Sequence, residues 1–77
     1  MRYYIDVASD RVQTLDEEGC DLDNEAQMQC EARRVLAQIA EDETRFSACS
    51  TLTARVRDSA GTSVYRVVLT LEGQSLQ

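Results

Sequence analysis

Polar and apolar residues alternate from the first positions of the chain. Tyr3, Ile5 and Val7 are separated by Arg2, Tyr4 and Asp6, which is the two-residue period of a strand with one face buried. Ser9-Asp10-Arg11 breaks the alternation as a polar turn, so a second strand must be short and begin near Val12. An acidic connection, Asp16-Glu17-Glu18-Gly19-Cys20-Asp21-Leu22-Asp23, follows. Asp23 or Asn24 can accept hydrogen bonds from the free N–H groups of a helix start, and Glu25 suits the positive end of its dipole.

From Glu25 to about Asp42 the period changes to that of a helix. Met28, Ala32, Val35, Leu36 and Ile39 recur at intervals of three and four on one stripe, with Arg33, Arg34 and Glu41 on the far side. Beyond a linker containing Phe46 and Cys49, alternation returns. Leu52, Ala54 and Val56 point one way and Thr51, Thr53, Arg55 and Arg57 the other, followed by the turn composition Asp58-Ser59-Ala60-Gly61-Thr62 and a β-rich run from Val64 to Leu71.

Two such strands around a turn predict a hairpin, and burial fixes its register. Pairing Val56 with Tyr65 collects Leu52, Ala54, Val56, Tyr65, Val67, Leu69 and Leu71 on one face, whereas a slip of one residue scatters them. That register calls for a loop of two residues, Ala60-Gly61, or of four, Ser59 to Thr62. The opposite face then carries Thr53, Arg55, Arg57, Val64, Arg66, Val68 and Thr70, with Arg55 directly facing Arg66. Like charges so placed repel, and Asp6 on the first strand is the natural group to relieve them. The expected architecture is α+β: one amphipathic helix on a three- or four-stranded antiparallel sheet, in the order strand, short strand or loop, helix, hairpin. Its core sets Met28, Val35, Leu36 and Ile39 against Ile5, Val7, Leu52, Val56, Val67 and Leu69. Seventy-seven residues with no proline and no internal repeat fit one small domain, 1–77.

Composition narrows the functional classes. The chain has no histidine and no lysine, and it has no glycine-rich phosphate loop. The commonest general base, the Schiff-base nucleophile and the nucleotide cradle are therefore missing, and the expectation is a protein without enzymatic activity and without a cofactor. The three cysteines match neither a disulfide framework nor a zinc pattern. Cys20 lies among acids that disfavour a thiolate, while Cys30 stands one helical turn before Arg34, which favours one. Asp16, Glu17, Glu18, Asp21, Asp23 and Glu25 lack the glycine and distal glutamate of a calcium loop and read as a solvated loop at a helix start, with no metal. No apolar run approaches a membrane span and no signal segment precedes the first strand, so no membrane role and a cytoplasmic location are expected.

The net charge of −6 argues against nucleic acid as a partner. Its distribution is uneven: residues 1 to 43 hold twelve of the fourteen acids, and residues 44 to 77 carry a net positive charge. Tyr4, Arg55, Arg57 and Arg66, interleaved with Val64 and Val68, have the composition of a protein interface. They are the candidate partner-binding residues, for a protein partner or for self-association.

Tyr3-Tyr4-Ile5-Asp6-Val7, the Asp16-Glu17-Glu18-Gly19 box with Leu22 beyond it, the alanine-bearing helix, Val56-Arg57-Asp58-x-x-Gly61 and Val67-Val68-Leu69 together resemble an uncharacterised family of short alphaproteobacterial, rhizobial-type proteins, a domain of unknown function. The resemblance spans nearly the whole chain and implies a strand, acidic loop, helix, hairpin order, with no catalytic residues; the function expected from the residues themselves is that of a small interaction or regulatory module. A looser one concerns Met1-Arg2-Tyr3 and Glu18-Gly19-Cys20 before the Glu25-Ala26 helix start. It is similar to HicB antitoxins and implies, as an alternative, the antitoxin of a toxin–antitoxin pair.

Overall fold

A computed structural model describes residues 1–10, 13–43 and 49–77. The chain runs β1 (Arg2–Ala8), β2 (Gln13–Thr14), β3 (Cys20–Asp21), α1 (Glu25–Glu43), β4 (Cys49–Arg57) and β5 (Ser63–Glu72). The five strands form one antiparallel sheet in the order β2-β1-β4-β5, with β3 also paired to β1, and the helix packs on one face. The fold is α+β, with one strand more than expected from the sequence. Of the expected second strand, Val12 lies outside the described residues, as does Phe46 in the linker; Gln13–Thr14 are paired.

The added strand, β3, arises from an interruption. β2 and β3 lie along the same side of β1, and five residues, Leu15 to Gly19, stand opposite only three of β1, Tyr4 to Asp6. The surplus folds out as the acidic loop. Its last residue must be glycine: Gly19 has φ +73°, and a Cβ there would lie 2.9 Å from the carbonyl oxygen of Tyr3. Reciprocal bonds between Met1 and Leu22 then clamp the strand's end (Leu22 N–H to Met1 C=O 2.8 Å; Met1 amine to Leu22 C=O 2.9 Å).

Asn24 is the helix cap. Its Oδ1 accepts from Gln27 N–H at 2.9 Å, and Gln27 Oε1 accepts from Asp23 N–H at 3.0 Å, a reciprocal arrangement close to a capping box. The buried stripe of α1 is Met28, Ala32, Leu36 and Ala40, each four residues from the last. These pack on Tyr3, Ile5 and Val7 of β1 and on Leu52, Ala54 and Val56 of β4. Val35 and Ile39, expected at the centre, are half-buried. They flank the core and border an open groove of about 520 Å³ between the helix, β1 and Leu15. Leu69, also expected in the core, is exposed, because α1 covers β4 and only the half-buried Tyr65 and Val67 of β5.

The hairpin register is the expected one, with Val56 opposite Tyr65, Leu52 opposite Leu69 and Arg55 opposite Arg66. The loop is neither two nor four residues long. Asp58 C=O accepts from Gly61 N–H (3.0 Å), Thr62 C=O accepts from Asp58 N–H (2.9 Å), and Gly61 has φ +85°, the geometry of a three-residue loop ending in a left-handed glycine. Val64 of β5, left without a partner opposite the step from Val56 to Arg57, is the bulged odd residue that restores the alternation. Asp58 Oδ1 holds the turn by accepting from the N–H groups of Ala60 and Thr62.

Candidate functional site

One face of the sheet carries the helix; the other has no element over it among the described residues. Alternation sends Tyr4 and Asp6 of β1, Thr53, Arg55 and Arg57 of β4, and Arg66, Val68 and Thr70 of β5 to this face. The ladder aligns them in rows across three strands: Asp6, Arg55 and Arg66 in one, Ala8, Thr53 and Val68 in the next.

The four candidate residues share this face but are held differently. Arg57 is engaged within the chain. Its Nε and Nη2 donate to Asp6 Oδ2 and Oδ1 (2.7 and 3.0 Å), Nη2 also donates to the carbonyl of Asp16 (2.8 Å), and the guanidinium lies 4.9 Å from the Tyr4 ring centroid. Tyr4 serves as its stacking platform. Arg55 and Arg66 are exposed and face one another, and neither guanidinium forms an ion pair or hydrogen bond among the described residues. Asp6, the expected relief for this pair, is claimed by Arg57, so Arg55 is left as a nearby charge only. The sequence could not distinguish the two arginines, because both stand beside Asp6 on the same face.

Asp16 completes the network. Its Oδ2 accepts from Ile5 N–H (3.0 Å), and its Oδ1 from Glu18 N–H (3.1 Å) and Gly19 N–H (2.9 Å), while its own N–H donates to Asp6 Oδ1 (2.9 Å). The carboxylate thus takes the place of a neighbouring strand at the point where β2 and β3 part. Sequence reading placed Asp16 in a solvated loop; an Asp followed three residues later by Gly, facing a strand, was the available signal.

Electrostatics follow this geometry. The Arg57 hydrogen bonds, opposed by burial and aided by the Asp16 N–H, hold Asp6 below its ordinary carboxyl value. Burial pushes Asp16 up, but its three backbone donors together outweigh that and leave it low as well. Depressed carboxyls stabilise the fold fully above the ordinary Asp pKa of about 3.9 and lose that contribution as pH falls through their native values. Glu31, paired with Arg34, acts in the same sense. Generic repulsion among fourteen acids would relax on acidification and raise stability instead. Thermal melts should therefore be flat from about pH 7 to 5 and fall steeply below about pH 4, with Asp16→Asn flattening the drop. A midpoint that holds or rises through that window would show that the network does not stabilise the native state.

The thiols lie elsewhere. Cys20 is half-buried, and burial followed by the charges of Glu31 and Asp16 raises its pKa, away from a reactive thiolate. Cys30 is exposed, but Arg34 grips Glu31 with two hydrogen bonds of 2.8 and 2.7 Å. Among the described residues no three Cys, Asp or Glu groups gather into a cation site, and no helix is long and apolar enough to cross a membrane.

No curated protein and no solved structure matches the chain, and the likeness to HicB antitoxins gains no support. A family model does match over residues 2–70, nearly the span in which the acidic loop, the capped helix and the bulged hairpin have just been described, and the chain belongs to that family, the Domain of unknown function (DUF6894).

Proposed function

We propose that the protein is a small, non-enzymatic interaction module that binds an acidic protein surface through the helix-free face of its sheet. The carrying observation is the pair Arg55 and Arg66, set side by side without an ion-paired carboxylate among the described residues, on a face bordered by Thr53 and Val68. An acidic group seated between two guanidiniums relieves their repulsion and gains charge-assisted hydrogen bonds. Arg57 and Tyr4 form the rigid wall of this surface, fixed by Asp6 and Asp16. The cytoplasm is the fitting compartment, since free Cys20 and Cys30 stay reduced there. A source among rhizobial-type alphaproteobacteria follows from the sequence resemblance.

Affinity capture from a bacterial lysate tests the reading, comparing wild type, the double variant Arg55→Glu with Arg66→Glu, and Arg33→Glu on the exposed side of the helix. A specific acidic partner should be lost with the double variant and at high salt, where the screening length falls to about 3 Å, and retained by Arg33→Glu. Recovery that is equal in all three, or recovery of nucleic acid instead of protein, overturns it.

A further inference from the structure

The two edges of the sheet are built differently. On the β2/β3 side the edge is cut into two-residue strands by a loop bearing Asp16, Glu17 and Glu18. Short strands, charge and interruption are the devices that keep a sheet edge from pairing with another chain. The opposite edge, β5, has none of them along most of its length. It runs ten residues, SVYRVVLTLE, with no proline or lysine, its only irregularity lies at the turn end, and among the described residues nothing pairs with its outer side. It also holds four of the seven large apolar side chains exposed among the described residues: Val64 at 40%, Val68 at 46%, Leu69 at 37% and Leu71 at 47%.

We infer that β5 pairs edge to edge with β5 of a second copy, about a two-fold axis through Leu69. Two identical antiparallel strands side by side require an axis perpendicular to the sheet, which keeps both helices on one face and restricts the alternatives to registers two residues apart in their pairing sums. Among these, only the axis at Leu69 sets the two charged residues of β5 against each other, Arg66 opposite Glu72 of the second copy at both ends. An axis at Arg66 itself would oppose two arginines. Glu72 already has an interaction within its own chain, and a carboxylate has lone pairs for a further donor.

The same register settles the apolar residues. On the helix side Leu69 meets Leu69 and Val67 meets Leu71 of the second copy, so the leucines that α1 leaves uncovered are covered between the two helices. On the other side Val68 meets Thr70. The surface proposed above to take an acidic partner lies on β4 and β5 of each copy; Arg66 has several N–H donors, so it can meet Glu72 of the second copy and still offer donors beside Arg55, and the pairing does not depend on that function.

Sedimentation equilibrium over micromolar to millimolar chain concentrations, with far-UV dichroism as the check on folding, decides it. Wild type should show twice the mass of one chain. Leu69→Lys, which sets two lysines face to face on the axis, should show the mass of one. Arg66→Glu and Glu72→Arg are exposed single changes, each placing like charges opposite at two symmetric points. Each should weaken self-association by about tenfold, and the double swap should restore it. Arg55→Glu leaves the edge untouched and should keep the doubled mass, so this inference and the proposed partner surface fail separately. A wild type that sediments as one chain, a folded Leu69→Lys that keeps the doubled mass, or a swap that fails to recover association overturns the pairing.

Discussion

Leu36→Ala should cost about 2 to 5 kcal/mol, out of a total stability of about 4 to 12 kcal/mol for a chain of this length. Leu36 is 2% exposed, in the middle of the Met28, Ala32, Leu36, Ala40 stripe, with β4 beneath it. Its stripe neighbours Ala32 and Ala40 carry only a methyl each, so neither can reach into the space a truncated leucine leaves, and the cavity term stays near its full size. Ile39→Ala is the informative comparison. Ile39 borders the open groove beside β1, so part of what it loses on truncation is already in contact with solvent, and the expected cost is about 1 to 2 kcal/mol. In a domain this small each kcal/mol moves the melting temperature by about 4 to 8 °C. Melts in which Ile39→Ala is the more damaging change would show that the helix is rotated from the position described.

Asp16→Ala should cost about 2 to 3 kcal/mol, more than alanine at either of the neighbouring acids Glu17 and Glu18. It removes the acceptor for Ile5 N–H in the central strand β1 and for two loop amides. Water can reach the loop amides, but Ile5 belongs to the core, and on the side of β1 away from β4 no strand stands beside it. Asp16→Asn should be intermediate: its one amide oxygen can serve either Ile5 or the Glu18 and Gly19 pair, and its NH₂ then faces a donor. Exposed Glu17→Ala should change stability by less than about 0.5 kcal/mol. Urea unfolding gives the energies, and amide exchange at Ile5 gives the mechanism: protection there should collapse in Asp16→Ala. Unchanged protection would mean that Ile5 N–H is satisfied some other way.

Elements whose reasons are local or periodic were legible in the sequence. The alternation in β1, the helix stripe and the hairpin register rest on side-chain parity, and Arg55 opposite Arg66 followed from it. The turn length did not, because parity counts only even or odd; a bulge beside Arg57 and a three-residue loop satisfy it together as well as an even loop does. β3 was illegible for another reason. Cys20 and Asp21 have no alternation and little β propensity, and they are extended because Met1 and Leu22 bond across from them. Of the candidate surface, position was readable and engagement was not. Arg57 and Arg55 stand two ladder positions apart on one face, opposite Tyr4 and Asp6, and only the fold of the acidic loop, which brings the Asp16 carbonyl within 2.8 Å of Arg57, decides which arginine is held.

The acidic loop that splits β2 from β3 also limits growth. A sheet with two receptive edges can add copies at both, and the product is an open ribbon of indefinite length, the geometry of aggregation. Here the loop Leu15 to Gly19, two residues longer than the stretch of β1 it faces and anchored by Asp16, leaves one edge too broken and too negatively charged to template another strand. Whatever joins at β5 therefore terminates the array. The two-residue surplus makes any edge assembly of this chain finite, and a variant that shortens the loop by two residues and replaces its acids should trade a closed pair for filaments.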